Sequence, residues 1–139
     1  MMNRSVPVRD AMTMDVLTVG PRSSVARAAK LMSENGVGSL IVVQKKEPVG
    51  ILTERDLLMK VVSRDIKPSK IQVGKIMSKP IITTDADADV VDAARIMIRN
   101  KIRRLPVVEG GKLTGILTAS DITAVSPELI EVLPEHREL

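Results

Sequence analysis

The sequence predicts an α/β (α+β) fold in which one β-α-β-β-α unit occurs twice, and three observations predict it. Residues 8–58 match residues 73–123 at a constant offset of 65 positions. Each copy carries apolar residues at positions i, i+3, i+4 and i+7, which is the spacing of one helix face. Each copy then has two β-branched stretches joined by a polar turn, which is typical of a hairpin. Because such a repeat is one structural unit built twice, we expect pseudo-two-fold symmetry between the units.

The first strand and the first helix of each copy follow from local composition. Strands are predicted over residues 16–19 and 81–84, where β-branched residues are frequent. Helices are predicted over residues 24–35 and 89–100. Their N-cap candidates are Ser23 or Ser24 and Asp87 or Asp89. Their buried faces are predicted to be Val25, Ala28, Ala29 and Met32 in the first copy and Val90, Ala93, Ala94 and Met97 in the second.

A hairpin and a short second helix complete each copy. The second helix is predicted to begin at about Asp56 in the first copy and at about Asp121 in the second. This order of elements gives a small mixed sheet with helices packed on one face. The paired strands are predicted at residues 40–43 and 49–53, and at residues 105–108 and 113–118.

The predicted boundaries divide the chain into two repeats with a linker and two tails. A repeat of roughly 60 residues buries little surface alone, so we expect the two to share one core and to form one module. The C-terminal tail is expected to be a short amphipathic helix or to be frayed. The predicted segments are an N-terminal tail (1–7), a first repeat (8–65), a linker (66–72), a second repeat (73–125) and a C-terminal tail (126–139).

Composition excludes several classes of function. Of 139 residues, 44% are hydrophobic and 27% charged, with no long apolar stretch, so we expect a cytoplasmic protein without a membrane span. The absence of cysteine excludes disulfides and thiolate metal sites. The chain lacks Phe, Tyr and Trp and its net charge is only +4, so nucleic-acid binding is not favoured. The single histidine, His136, is predicted to be a solvated surface residue.

Two groups of residues imitate metal sites and have simpler explanations. The acidic run at residues 85–89 resembles a calcium loop, but Val90 stands where such a loop needs glycine, so helix capping explains these acids better. The repeated methionines are expected to fill the core. They are Met12, Met32, Met77 and Met97.

The motif with the most chemical content is Thr-x-x-Asp, which ends the hairpin of both copies, at Thr53 and Asp56 and again at Thr118 and Asp121. In one interpretation it is a capping box, in which the threonine caps the helix and the acid reaches back to the threonine. In the other, the hydroxyl and the free amides bind a phosphate, and the carboxylate accepts from the two hydroxyls of a ribose. The local sequence is compatible with both.

Longer motifs around these residues resemble those of the cystathionine-β-synthase-type (CBS) domain family. They are a Val-x-x-x-Met-Thr/Ser opening, an aliphatic strand at residues 36–43 and 102–108, and a Gly-Ile-Leu-Thr-x-x-Asp ending in both copies. Together they cover about residues 8–125, so the chain resembles a tandem CBS pair, a stand-alone Bateman module. The resemblance implies the β-α-β-β-α fold that the patterns predict.

The resemblance also implies that adenosine ligands bind in clefts between the two repeats. Such ligands are AMP, ADP, ATP or S-adenosylmethionine. Each cleft would combine the Thr-x-x-Asp of one repeat with the first strand and the aliphatic strand of the other. One cleft is expected to contain Thr53, Asp56, Lys79, Pro80, Ile81, Ile102, Arg103 and Arg104. The other is expected to contain Thr118, Ser120, Asp121, Met14, Asp15, Val16, Val37, Gly38 and Ser39.

The two clefts differ in expected charge. The first copy has Gly36, Gly38 and Ser39 where the second copy has Lys101, Arg103 and Arg104. Because the resemblance assigns the basic group to the cleft of Asp56, cations there would attract a polyphosphate. We therefore predict that the cleft of Asp56 is the stronger nucleotide site.

The residues indicate a regulator rather than an enzyme. The sequence offers no nucleophile with a base, no paired acids and no metal set, so we expect a non-enzymatic module that requires no cofactor. A bound nucleotide would favour one arrangement of the repeats, which an effector protein in trans or a second copy in a homodimer would read. Two alternatives stay open. The chain could be a dimerisation scaffold whose Thr-x-x-Asp motifs only cap helices, or a nucleic-acid-binding protein that uses its basic residues.

Overall fold

The computed structural model describes residues 5–134 and divides them between two compact units. Leu17–Ile81 forms one, which we call the Asp56 unit. The described residues of Met1–Val16 and Ile82–Leu139 form the other, which we call the Asp121 unit. In chain order the elements are α1 (Val8–Ala11), β1 (Thr18–Val19), α2 (Val25–Asn35), β2 (Ser39–Gln44), β3 (Glu47–Thr53), α3 (Glu54–Leu57), β4 (Thr84–Asp85), α4 (Val90–Asn100), β5 (Arg104–Glu109), β6 (Lys112–Thr118) and α5 (Ala119–Val125).

Each repeat contains the predicted β-α-β-β-α order, and the fold class is confirmed. The first strands are shorter than predicted, since β1 and β4 have two residues each. The short helix α1 was not predicted. Irregular turns complete the backbone: α3 continues into a π-helical turn at Leu58–Val62, and 3₁₀ turns lie at Pro68–Lys70, Val73–Lys75 and Pro127–Leu129.

Each unit has one mixed three-stranded sheet. The strand orders are β1-β2-β3 and β4-β5-β6, with the first pair parallel and the hairpin antiparallel. The hairpin registers place Leu40 opposite Leu52 and Leu105 opposite Leu117, and all four side chains are buried. The same registers place the start of β2 opposite the end of β3 and the start of β5 opposite the end of β6, so both ends contribute to the edge where the Thr-x-x-Asp turns begin.

The two long helices begin and end as their sequences predict. The side chain of Ser24 caps α2, and that of Asp89 caps α4 by accepting from Val91 N at 2.8 Å. The predicted apolar faces point inward, although Ala29 is only half-buried. Both helices have 11 residues, and none of the described helices has the length and apolar character that crossing a membrane requires.

The residues that open each repeat pack in the unit of the other repeat. Val8 N donates to Ala88 O at 2.8 Å, and Thr13 forms an antiparallel bridge with Ile116 in the Asp121 unit. The copy of this opening behaves in the same way in the Asp56 unit. Val73 N donates to Ser23 O at 2.8 Å, and Ser78 bridges to Ile51. The boundaries of the predicted repeats therefore follow the sequence similarity, whereas the boundaries of the compact units lie after Val16 and after Ile81.

Each unit has its own aliphatic core, and each core contains residues from both repeats. The exchanged openings add Val73 and Ile76 to the core of the Asp56 unit and Val8 to the core of the Asp121 unit. Each described unit thereby reaches the size at which a small domain can bury a core of its own.

The C-terminal tail is neither a helix nor frayed over its described part. After the 3₁₀ turn at Pro127–Leu129 the chain returns to the Asp121 unit, where Leu133 is 6% exposed and belongs to the core. His136 lies outside the described residues, as do the first four residues of the N-terminal tail.

The repeated glycines Gly50 and Gly115 mark where the exchanged openings cross the hairpins. A Cβ atom on Gly115 would lie 2.8 Å from the main-chain oxygen of Thr13. A Cβ atom on Gly50 would meet the flexible Sδ of Met77 at 2.6 Å, with the nearest backbone atom at 3.1 Å. A methyl group is therefore harder to accommodate at Gly115, because backbone moves less readily than a methionine side chain.

We expect Gly115→Ala to lower the free energy of unfolding by about 1–3 kcal/mol, the usual cost of overpacking, and Gly50→Ala to lower it less. Urea denaturation followed by far-UV circular dichroism measures both changes. Gly20→Ala is the matched control, since no atom lies within 4 Å of its Cβ position. Equal stabilities for Gly115→Ala and Gly20→Ala would contradict the close crossing.

Candidate functional site

The turn from Thr53 to Asp56 is a complete capping box at the start of α3. Thr53 Oγ1 accepts a hydrogen bond from Asp56 N at 3.1 Å. In return, Asp56 Oδ2 accepts from Thr53 N and from Thr53 Oγ1, each at 3.0 Å. The capping interpretation of this motif is therefore confirmed for the first copy.

The second oxygen of Asp56 is also occupied. Oδ1 accepts from Ser78 Oγ at 2.8 Å and lies 2.9 Å from Lys60 Nζ, which also donates to Ile76 O at 2.9 Å. A carboxylate has about four acceptor positions, and four donors of this protein already surround Asp56. The residue is only 4% exposed. A ribose hydroxyl could bind Asp56 only by displacing one of these donors.

The environment of Asp56 changes its acidity. Burial raises the pKa of the carboxyl group, but hydrogen bonds from Lys60, Ser78 and Thr53 together outweigh burial and hold the pKa below its ordinary value. The folded state therefore binds the proton less tightly than the unfolded state does. Asp56 stabilises the fold at a pH above its unfolded pKa of about 3.9, and this contribution is lost as the pH falls through the lower folded value.

We expect the free energy of unfolding to decrease as the pH falls below about 4, with part of the decrease due to Asp56. Urea denaturation at a series of pH values measures the slope. In Asp56→Asn the slope over this window should be smaller than in the wild type, because the substituted side chain does not titrate. An identical slope in both proteins would contradict the assignment.

The second copy has the same capping box but lacks the other two donors. Thr118 Oγ1 accepts from Asp121 N at 3.1 Å, and Asp121 Oδ2 accepts from Thr118 N at 2.9 Å. Val125 stands at the position that corresponds to Lys60. Within residues 5–134, no side chain or backbone group donates a hydrogen bond to Asp121 Oδ1, and the residue is half-buried. Asp121 therefore keeps an oxygen that can accept from a ligand.

A cleft of about 500 Å³ is lined by Ala119, Ser120 and Thr123 at the start of α5, and we call it the Ser120 cleft. The body of the Asp121 unit contributes one wall. Arg103 is fixed there because its main-chain oxygen accepts from Ala119 N at 2.8 Å. Thr123 Oγ1 donates to the main-chain oxygen of Ser120 at 3.1 Å, and Ser120 itself is exposed. The C-terminal tail contributes the other wall, with Ile130, Glu131, Leu133 and Pro134.

Comparison with known proteins identifies the family. The family model described as the CBS domain matches residues 8–63 and again residues 73–128. The chain belongs to the CBS family. An uncharacterized protein of Methanopyrus kandleri is 43% identical over 135 residues, which are 96% of this chain and 69% of that protein. The resemblance inferred from the motifs is thus confirmed, and CBS pairs are typically regulatory, ligand-binding modules.

Solved structures agree with this assignment. The crystal structure of Hypoxic Response Protein I with two coordinated zinc ions has a TM-score of 0.78 at 29% identity, and the match covers 86% of this chain and 98% of that chain. A hexameric CBS-CP12 protein from bloom-forming cyanobacteria has a TM-score of 0.72 at 35% identity, and the match covers 86% of this chain and 67% of that chain. Both are CBS-type folds of comparable architecture.

The two compact units divide the predicted site residues, and the two clefts expected between the repeats stay a prediction. Lys79, Pro80 and Ile81 lie in the unit of Thr53 and Asp56, and Met14, Asp15 and Val16 lie in the unit of Thr118, Ser120 and Asp121. The aliphatic-strand segments lie in the unit of their own repeat. Val37, Gly38 and Ser39 accompany Thr53 and Asp56, whereas Ile102, Arg103 and Arg104 accompany Thr118 and Asp121.

The antiparallel hairpins explain why each aliphatic-strand segment lies in the unit of its own Thr-x-x-Asp. Their registers place Ser39 opposite Thr53 and Arg104 opposite Thr118, so each strand start lies beside the Thr-x-x-Asp of the same repeat. In addition, Glu54 N donates to Gly38 O at 3.0 Å. Arg103 and Arg104 therefore lie in the unit of Asp121, and their expected place in a cleft with Asp56 stays a prediction.

Sequence reasoning missed two residues that contact the carboxylate of Asp56, namely Ser78 and Lys60. Both stand at positions where the two copies differ, since the first copy has Lys60 where the second has Val125, and Thr13 corresponds to Ser78. This difference was the available signal. Its meaning depended on knowing that the opening at Ser78 folds back onto β3.

No group of acidic or histidine side chains within residues 5–134 is arranged to hold a metal ion. In the acidic run, Asp89 caps α4 and Asp85 accepts from Asp87 N at 2.9 Å. Helix and turn capping account for these two carboxylates.

Proposed function

We propose that this CBS pair is a non-enzymatic regulatory module that binds an adenine nucleotide at Asp121. The observation that carries the proposal is the contrast between the two carboxylates. Asp56 is saturated by four donors of its own unit, whereas Asp121 has the same capping geometry and one oxygen that no group within residues 5–134 donates to.

The residues around Asp121 fit the parts of a nucleotide. The free carboxylate oxygen would accept from the ribose hydroxyls. The adjacent Ser120 hydroxyl and the Arg103 guanidinium would bind phosphate oxygens, for which arginine is well suited. Met14 and Val16 belong to the same unit and would offer apolar surface to the adenine ring. Thr118 holds the turn in place through its capping bonds.

The charges favour a nucleotide over S-adenosylmethionine. A phosphate chain is negative and would be attracted by Arg103, whereas the sulfonium group of S-adenosylmethionine is positive and would be repelled by it. Among adenosine ligands we therefore place AMP, ADP and ATP before S-adenosylmethionine.

The output of the module would be a change that another protein reads. A ligand shifts a conformational equilibrium only by its difference in affinity for the two states, so the reader would recognise the nucleotide-bound state. A second copy in a homodimer and a separate effector protein are both suitable readers. The hexameric CBS-CP12 relative is consistent with assembly from several copies.

Isothermal titration calorimetry with ATP, AMP and S-adenosylmethionine tests the proposal on the wild-type chain. We expect saturable binding of ATP or AMP and weaker binding of S-adenosylmethionine. The chain has no Trp or Tyr, so a 260 nm absorbance band in purified protein would also reveal a bound nucleotide. Absence of binding by all three ligands up to millimolar concentration would reject the proposal.

The second candidate function is a scaffold without ligand, and the saturated Asp56 favours it. If both Thr-x-x-Asp motifs only cap helices, no adenosine ligand should raise the melting temperature. A nucleotide that binds only the folded state must raise that temperature, and the rise grows with the logarithm of one plus the ratio of ligand concentration to Kd. Thermal denaturation with and without ATP therefore separates the two candidates.

A further inference from the structure

The described end of the chain covers the Ser120 cleft. We call residues 127–134 the strap. Its anchor is Leu133, which is 6% exposed and packs in the core of the Asp121 unit. Leu133 N donates to Leu129 O at 3.2 Å, and Leu129 also packs against this core. Ile130 and Val132 point outward, with exposed fractions of 66% and 53%. The strap is thus attached to the core through Leu133, with Leu129 packed beside it.

The strap engages the positively charged side chain that lines the cleft, Arg103. Arg103 Nη1 donates a hydrogen bond to the main-chain oxygen of Pro134. A neutral carbonyl is a weaker acceptor for a guanidinium than a phosphate, with which arginine forms charge-assisted and often bidentate bonds. The strap also brings Glu131 into the lining of the same cleft, where its carboxylate would repel an anion.

We propose that the strap is an autoinhibitory segment that a phosphate group releases from the Ser120 cleft. This inference rests on the proposed binding of a nucleotide at Asp121. A phosphate beside Ser120 takes Arg103 from the Pro134 carbonyl and repels Glu131. The strap then leaves the cleft, and Leu133 leaves the core. Because release of the strap costs part of the binding free energy, the closed strap lowers the apparent affinity for nucleotide.

A spin label on the strap tests this inference, since the chain has no native cysteine to interfere. Val132→Cys places the label on an exposed strap position, and Val62→Cys, which is 66% exposed in the Asp56 unit, is the control position. We expect ATP to convert the label at position 132 from restricted to mobile, and to leave the label at position 62 unchanged. Adenosine, which lacks phosphate, should leave both labels unchanged. Calorimetry on the same labelled proteins reports whether ATP is bound.

Two variants test the cost of the closed strap. Leu133→Ala removes the anchor, so the label at position 132 should be mobile without ligand, and ATP should bind about 3- to 10-fold more tightly than to the wild type. Glu131→Gln keeps the anchor and should tighten ATP binding in the same direction, which provides a second measurement if Leu133→Ala folds poorly.

The outcomes separate this inference from the proposed function. If ATP binds and the label at position 132 stays restricted, the strap inference is wrong and the proposed function stands. If adenosine mobilises the label as ATP does, phosphate is not the trigger and the inference is also wrong. If ATP binds neither the wild type nor Glu131→Gln, the proposed function fails and the inference fails with it.

Discussion

Asp121→Asn is expected to weaken ATP binding roughly 10- to 150-fold, which corresponds to the loss of about 1.5–3 kcal/mol from hydrogen bonds to a charged acceptor. The amide oxygen of asparagine can still accept from Thr118 N and keep the capping box. The amide nitrogen replaces the free carboxylate oxygen, and a donor there cannot accept from a ribose hydroxyl. The substitution therefore removes the ligand contact and retains the local fold. Calorimetry with ATP measures the change.

The same substitution in the other copy is the matched control. Asp56→Asn should leave ATP affinity within a factor of about two, because Asp56 binds its own protein rather than the ligand. Titrations are performed where far-UV circular dichroism shows both variants to be folded. If Asp56→Asn abolished binding and Asp121→Asn did not, the assignment of the site to Asp121 would be wrong.

Asp56→Asn is expected to lower the free energy of unfolding by about 2–4 kcal/mol. The substitution removes the negative charge that pairs with Lys60 and places an amide donor against the donors of Lys60 and Ser78. Both partners are partly buried, so water replaces the lost acceptor incompletely. Ser78 lies in the opening segment of the second repeat, and its bond to Asp56 joins this segment to α3. Loss of that bond should therefore loosen the segment as well.

Urea denaturation followed by far-UV circular dichroism measures this loss, since the chain has no aromatic fluorophore. Asp121→Asn is again the reference and should change the free energy of unfolding by about 0.5 kcal/mol or less. Lys60→Met in a double-mutant cycle with Asp56→Asn isolates the ion pair. A stability of Asp56→Asn equal to that of Asp121→Asn would contradict the saturated network.

Local patterns in the sequence were sufficient for the long helices, the hairpins and the capping boxes. The helix faces repeat every three or four residues, and the caps join residues three positions apart, so the interactions are encoded in short windows. The repeat at 65 positions and its motifs were sufficient for the CBS family, which the family model confirms. The residues at the Thr-x-x-Asp turns were found for the same reason, because both the box and a ligand site require that local spacing.

Only the tertiary structure decided which of the two Thr-x-x-Asp turns keeps a carboxylate oxygen available to a ligand. The donors that saturate Asp56 include Ser78, which is 22 residues away and lies on an opening segment that folds into the other repeat's unit. Hairpin register also places Arg104 opposite Thr118 in the unit of Asp121. The burial of Leu133 likewise brought the tail to the Ser120 cleft. These contacts join segments that are distant along the chain, and their free energy depends on burial and on complete hydrogen bonding, neither of which has a periodic signature in the sequence.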